Sequence, residues 1–275
     1  MAYGERARSL LFVPGDRPER FAKAVATGAD AVIIDLEDAV APDAKPAALE
    51  HTLRWIGQGR DAVVRVNAAG TPWHADEIAA LAGTGSLIMV PKAHAVDDLV
   101  AIRGVVGDRL IALIETAGGV RDADEVCAAL GVVRVALGNV DLARELGVDP
   151  GSHAALAYAR GRIIVASAAA GIAPPVDGVT TALDSPEMLV DDLAVTRALE
   201  FGGKLCIHPR QVAAVNDALR PSAAELAWAK RILRHSDTDG VSVVDGVMVD
   251  APVLARAAAL LRRDLRSGDP PTGVP

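Results

Sequence analysis

The stretch Leu110–Val120, LIALIETAGGV, decides how this chain is read: an apolar run ends on a carboxylate, Glu115, and is followed by Thr116, Ala117 and two glycines. A continuous Leu/Ile/Ala run without polar alternation reads as a strand covered on both faces. A charge at the end of such a strand is unfavourable unless the surroundings are polar, hold a metal or open to a ligand. Glu115 therefore marks a candidate functional site.

Similar runs recur at Leu10 to Val13, Ala31 to Leu36, Ala62 to Val66, Leu87 to Val90, Val132 to Leu137, Pro174 to Val176 and Lys204 to Ile207. Helical periodicity lies between them. Thr71-Pro72 and Asp184-Ser185-Pro186 open helices, and Gly28 and Gly131 close helices just before strands. Eight buried strands alternating with helices predict an α/β fold, a closed parallel (β/α)8 TIM barrel, and the 275 residues suit a fold of about 250. A doubly wound sheet is the competing architecture. The turn after the first strand, VPGDRPERF, lacks the Gly-x-Gly-x-x-Gly that such a sheet uses for dinucleotides.

Asp149 to Gly171 reads as one long Ala-rich helix, and a helix from Gln211 to Ala218 closes the barrel. The expected organisation is a catalytic barrel over residues 1–220 and a C-terminal extension over 221–275. In the extension, Ser222 and Glu225 form a capping box that opens a helix with Leu226, Ile232 and Leu233 on one face. VSVVDGVMVD reads as a hairpin around Asp245-Gly246, followed by a helix from Ala251 to Arg263 and a disordered tail, SGDPPTGVP. A barrel needs no such appendage, so it serves as a lid or a subunit contact.

With 51% hydrophobic but 3% aromatic residues, the core must be built from Ala, Val, Leu and Ile. A net charge of −8 without a Lys/Arg cluster argues against nucleic acid and anionic membrane as partners, leaving a small molecule. Cys127 and Cys206 each lie in apolar stretches, which suits a reducing compartment. The N-terminal apolar run is too short for a signal peptide, and no run reaches the roughly 18 residues of a membrane span. The expectation is a cytoplasmic protein.

Barrel chemistry gathers at the carboxyl ends of the strands. There the sequence places Arg17, then Asp35, Glu37 and Asp38, then Arg65, Lys92, Glu115, Asp141, Asp177 and His208. Any one charge at a strand end is ordinary. Arg65 is less so: it lies between valines in a buried run, where a guanidinium must meet a carboxylate or an anionic ligand. Asp35 and Glu37 are the natural carboxylates; the three clustered acids could also hold a metal themselves, while Asp35 and Glu37 read equally well as structural partners of Arg65 and Lys92. Glu115 and Asp141 end adjacent strands, and two carboxylates completed by water and substrate oxygens are a common Mg²⁺ arrangement. The six histidines lack zinc-ligand spacing, which favours Mg²⁺ over Zn²⁺. No Gly-x-Ser-x-Gly elbow or Walker A loop occurs. His208 lacks an evident nucleophile partner and reads equally well as a helix cap; Gly118-Gly119 reads as an anion nest or as the opening of a helix.

The segments RSLLFVPGDRPERFAKA, VIIDLEDAVAPDAK, VVRVN, VPKA, IETAGGV, GNVDLARELG, GGKLCIHPRQV and DGVMVDAP together resemble the citrate lyase β-subunit-like branch of the HpcH/HpaI aldolase family. That branch includes malyl-CoA and citramalyl-CoA lyases. The resemblance runs from Arg8 to Leu261. It implies a barrel that assembles as a homotrimer or hexamer and cleaves or forms a carbon–carbon bond beside a thioester. It implies Glu115 and Asp141 as Mg²⁺ ligands and Arg65 as the group that stabilises the thioester enolate. Phe12, Arg17 and Lys23 match positions contacting CoA, and Glu37 and Asp38 match acids bordering the metal. Asp250 matches an acid reaching a neighbouring subunit's site, where it donates or removes the proton on carbon. The chain departs from the pattern at Val140, where many relatives carry an acid before the metal-binding aspartate, which puts the substrate in question.

The reading that follows is a Mg²⁺-dependent carbon–carbon lyase acting on a malyl-, citramalyl- or citryl-CoA type of 3-hydroxyacyl thioester. Three alternatives stand beside it: a carrier-protein-dependent citrate lyase β subunit, a class II pyruvate-type aldolase without CoA, and an inactive barrel used for binding.

Overall fold

The computed structural model describes residues 4, 6–234, 242–244 and 247–264. The chain forms two compact units, Met1–Ala218 and Leu219–Pro275. The first is a closed barrel of parallel strands in sequence order: β1 (Ser9–Pro14), β2 (Ala31–Asp35), β3 (Val63–Arg65), β4 (Leu87–Val90), β5 (Leu110–Ile114), β6 (Val132–Leu137), β7 (Val176–Asp177) and β8 (Gly203–Cys206). β8 returns to pair with β1 and closes the ring. This is the (β/α)8 barrel that the apolar strands predict.

Two apolar layers explain why the strands show no polar alternation. Leu10, Ile33, Val63, Met89, Ile111, Leu113, Ala136 and Leu205 form one buried cluster, the barrel interior. The alternate residues, among them Val64, Val66, Ile88, Leu110, Ala112, Ile114 and Val135, pack with helix residues such as Leu99, Ile102, Val126 and Ile163 in the outer layer. Successive strand side chains point to opposite faces, and here both faces are core. At the amino-terminal end of β6, Arg134 is 1% exposed and donates to the carbonyls of Gly4, Ala7 and Pro174. It satisfies main-chain groups at the bottom of the barrel, the face of stability rather than chemistry.

Some boundaries differ from expectation. The helix expected over Asp149 to Gly171 starts only at Ala157 and runs to Ala170. Asp149 Oδ1 instead accepts the Gly151 amide at 2.8 Å, and this side-chain turn outcompetes helix over residues 149–156. β7 is Val176–Asp177 rather than Pro174 to Val176, because prolines have no N–H to give to the ladder. The helix after β8 starts at Pro209, two residues before Gln211, and the helix after Thr71-Pro72 starts at His74.

In the second unit the capping box is formed: the Ser222 amide donates to Glu225 Oε2 at 2.7 Å and the Glu225 amide to Ser222 Oγ at 3.2 Å. The helices Ala223–Arg234 and Ala251–Asp264 pack through Ala229, Ile232, Ala257 and Leu260, with Leu233 beside them; Leu226 is only half-buried. β9 (Ser242–Val244) and β10 (Val247–Val249) pair antiparallel. The Asp245-Gly246 turn and the tail lie outside the described residues.

Candidate active site at the carboxyl end of the barrel

The inward phase of each strand determines what reaches the site. Leu10, Ile33, Val63, Ile111 and Ala136 face the barrel interior, so two residues further on Phe12, Asp35 and Arg65 face it as well. On β5 and β6 the same count, continued past Leu113, reaches Glu115 and Gly138. All five line one cavity of about 390 Å³, with Asp38, Asn139, Asp141 and an apolar wall of Leu113, Val140, Val179, Leu205 and Ile207.

Asp35 and Arg65 are register partners on β2 and β3. Arg65 Nε donates to Asp35 Oδ1 and Nη2 to Asp35 Oδ2, both at 2.7 Å, a bidentate fork. Nη1 donates to Asp38 Oδ2 at 3.2 Å and lies 3.2 Å from Glu37 Oε2, an ion pair without hydrogen-bond geometry. The Phe12 ring stacks beneath the guanidinium at 4.8 Å. Burial works against the charge on Arg65, but Asp35, Glu37 and Asp38 outweigh it and hold its pKa above the ordinary arginine value.

Glu115 is 3% exposed. Its Oε1 accepts the Lys92 amide at 2.9 Å, a bond made possible by a left-handed Lys92 backbone with φ of 51°. Lys92 Nζ donates to Glu37 Oε1 at 2.6 Å and lies 3.9 Å from Glu115 Oε1. Burial pushes Glu115 up to about 7, with the Glu37 charge adding to the shift and the Lys92 amide offsetting part of it. Burial likewise raises Glu37, against the pull of Arg65 and Lys92. Gly138 is required next to Glu115: an added Cβ would come within 2.4 Å of Glu115 Cβ and 2.5 Å of its Oε2. Asp141 sits in the first turn of the helix Asn139–Leu146 and pairs with Arg144 at 2.9 Å.

The residues present fit a hard cation. Glu115 and Asp141 offer oxygen alone, both line the cavity, and burial raises the Glu115 pKa, a shift that a bound cation would oppose. Among the described residues no group of three His, Cys, Asp or Glu side chains could hold a metal by itself, so water and substrate would complete the shell.

Arg17 and Lys23 are exposed and lie outside the cavity lining, whereas Phe12 is part of it. Asp177 points elsewhere, buried against Arg160, Thr196 and the Gly178 amide. His208 accepts the Arg210 amide at 3.2 Å and caps the following helix. Gly119 sits in the helix Ala117–Arg121, whose cap Thr116 accepts its amide, and an added Cβ there would meet Ala93 O at 2.5 Å. In the second unit, Asp250 Oδ1 accepts the Val253 amide at 3.2 Å. Sequence reading missed Asn139, which lines the cavity, accepts the Val179 amide and donates to the carbonyls of Val179 and Pro150. An asparagine opening a helix carries no signal of such bridging; its neighbour Gly138, in the inward phase of β6, is the cue.

An eight-stranded barrel with an aspartate-clamped arginine and carboxylates lining a cavity at the carboxyl ends of its strands defines a TIM-barrel protein of the enzyme type. Residues 8–209 match the HpcH/HpaI aldolase/citrate lyase family, and the chain belongs to it. It is 40% identical over 261 residues to the citrate lyase subunit beta-like protein of Mycobacterium tuberculosis, covering 92% of this chain and 94% of that protein. It is 37% identical over 258 residues to a (3S)-malyl-CoA thioesterase of Cereibacter sphaeroides, covering 88% and 89%. The crystal structure of the M. tuberculosis protein CitE in complex with magnesium, acetoacetate and coenzyme A matches with a TM-score of 0.79 and 37% identity, covering 94% of this chain and 99% of that one. Among the described residues no helix is long and apolar enough to cross a membrane.

Proposed function

We propose that this chain is a Mg²⁺-dependent carbon–carbon lyase that cleaves or forms 3-hydroxyacyl-CoA thioesters of the malyl, citramalyl or citryl type. The observation that supports it most is the Asp35-clamped Arg65 sharing one cavity with Glu115 and Asp141. Glu115 and Asp141 would hold Mg²⁺, which when bound acidifies the substrate hydroxyl and polarises the carbonyl being formed.

In cleavage, the carbinol O–H gives its proton to water, its oxygen becomes the carbonyl oxygen of the released product, and the electron pair of the broken carbon–carbon bond moves into the thioester. The thioester oxygen then carries negative charge. Arg65 has N–H groups beyond those committed to Asp35 and Asp38, and its guanidinium, already oriented, stabilises that charge without reorganising. Asp250 returns a proton to the carbon, arriving from a neighbouring chain of a homo-oligomer; in condensation it removes that proton. Lys92 holds Glu37 and, through its amide, Glu115. Phe12 supports Arg65, and Arg17 and Lys23 bind CoA phosphates. The barrel is the catalytic domain and the C-terminal unit a lid or subunit contact, in a cytoplasmic enzyme.

A second reading, thioester hydrolysis, is favoured by the likeness to a malyl-CoA thioesterase. Incubating the purified chain with malyl-, citramalyl-, citryl- and 3-hydroxy-3-methylglutaryl-CoA, with and without Mg²⁺, separates the two. A lyase releases a keto acid and an acyl-CoA; a thioesterase releases free CoA thiol.

A further inference from the structure

Lys45 sits where neither helix electrostatics nor burial favours it. It is the first residue of the helix Lys45–Gly57, where the helix dipole disfavours a cation. It is also 6% exposed, so its charge needs full compensation. All three N–H groups of its ammonium are used: Nζ donates to Leu36 O at 2.8 Å, Glu37 O at 2.9 Å and Asn67 Oδ1 at 2.7 Å.

Asn67 extends the network. Its Nδ2 donates to Leu36 O at 2.8 Å and Glu77 Oε1 at 2.5 Å, its amide donates to Glu77 Oε2 at 2.7 Å, and its carbonyl meets His74 Nδ1 at 2.7 Å. Asn67 and Glu77 are each 2% exposed, and Glu77 supplies the negative charge within reach of the ammonium. The Trp73 ring covers Nζ at 4.9 Å. None of Lys45, Asn67 and Glu77 lines the cavity.

The groups being held are informative. Leu36 and Glu37 directly follow Asp35, and Asn67 lies two residues beyond Arg65. Lys45 thus fastens the two chain segments that carry the halves of the Arg65–Asp35 pair, from the side away from the cavity. We propose that Lys45 is a positioning residue for Arg65: by tying the main chain after β2 to the side chain of Asn67 after β3, it sets the direction in which the guanidinium meets the substrate. This rests on the reading of Arg65 as the group that stabilises the thioester oxygen.

The test compares Lys45→Met, which keeps the stem and removes the three donors, with Thr52→Val, which removes a buried bond to Ala48 O in the same helix without touching the network. The readouts are kcat, KM, thermal midpoint and the NMR signal of Arg65 Nε–H, assigned by its loss in Arg65→Lys. Lys45→Met is expected to lower kcat tenfold or more with KM within threefold, and to speed exchange of the Arg65 Nε–H at least tenfold. Thr52→Val is expected to lower the midpoint while leaving kcat and that signal as in the wild type. Glu77→Gln, which keeps shape, should move both readouts the same way by a smaller factor and stands in if Lys45→Met does not fold. Wild-type kcat and Arg65 signal in the network variants, or an equal kcat loss in Thr52→Val, would overturn the proposal. If the wild type shows no lyase activity yet the Arg65 signal responds to Lys45→Met, the functional reading fails and the positioning role stands.

Discussion

Asp35 and Arg65 are paired twice over: as register neighbours on adjacent strands and as a bidentate ion pair with both bonds at 2.7 Å. The pair is nearly dry, with side-chain exposures of 1% and 10%. Breaking such a pair from one side leaves an uncompensated buried charge. Asp35→Asn should therefore lower unfolding free energy by about 3–5 kcal/mol, measured by denaturant titration. Arg65→Lys should lose the fork and lower kcat by roughly 10²–10³-fold, the scale of removing an oxyanion donor. A near-wild-type kcat for Arg65→Lys would remove Arg65 from the chemistry.

Glu115 makes the metal-free protein pH-sensitive in a definite direction. Its pKa rises from an ordinary 4.5 to about 7 on folding, chiefly by burial, so between those values the folded state binds the extra proton. Stability from this group is greatest below about 4.5 and declines as pH climbs towards 7. Mg²⁺ competes with the same proton, so its affinity should fall about tenfold per pH unit below 7. Thermal midpoints against pH, with and without Mg²⁺, should show this dependence in the wild type and lose it in Glu115→Gln. That variant should also lose Mg²⁺-dependent turnover.

Gly138 is small because Glu115 occupies the space above it. An added methyl would stand 2.4 Å from Glu115 Cβ, while the Gly138 backbone, with φ of −92°, suits any residue. Gly138→Ala should fold and weaken Mg²⁺ binding at least tenfold by displacing Glu115. Calorimetric titration with Mg²⁺ would show unchanged affinity if the contact were unimportant.

Both cysteines should be inert in the native protein. Burial pushes Cys127 up to about 11 and Cys206 up to about 12, so little thiolate exists at pH 8. A chromogenic disulfide reagent should titrate neither thiol until guanidinium is added. Immediate reaction of either would show that its burial is not maintained.

Much of the barrel was legible from sequence because doubly buried strands have to be apolar throughout, and β4, β5 and β6 begin and end where their apolar runs do. The Asp149–Leu156 segment was misread because its composition is helix-compatible and the competing Asp149–Gly151 turn is one side-chain bond. Arg65 was conspicuous as a buried cation, but whether Asp35, Glu37 or a ligand met it was open. The Lys45–Asn67–Glu77 network was invisible, since its members are unremarkable residues separated along the chain by 22 and 10 positions.

By itself the sequence determined the alternation of strand and helix, and it placed charges such as Glu115, Arg65 and Asp35 at or just beyond the ends of apolar runs. It did so because burial imposes composition locally. Tertiary structure alone decided which phase of each strand faces inward, that Asp35 rather than another acid clamps Arg65, and that Gly138 makes room for Glu115. A period of two states that side chains alternate; only closure of the ring, with its register between neighbouring strands, states which of the two faces meets at the centre.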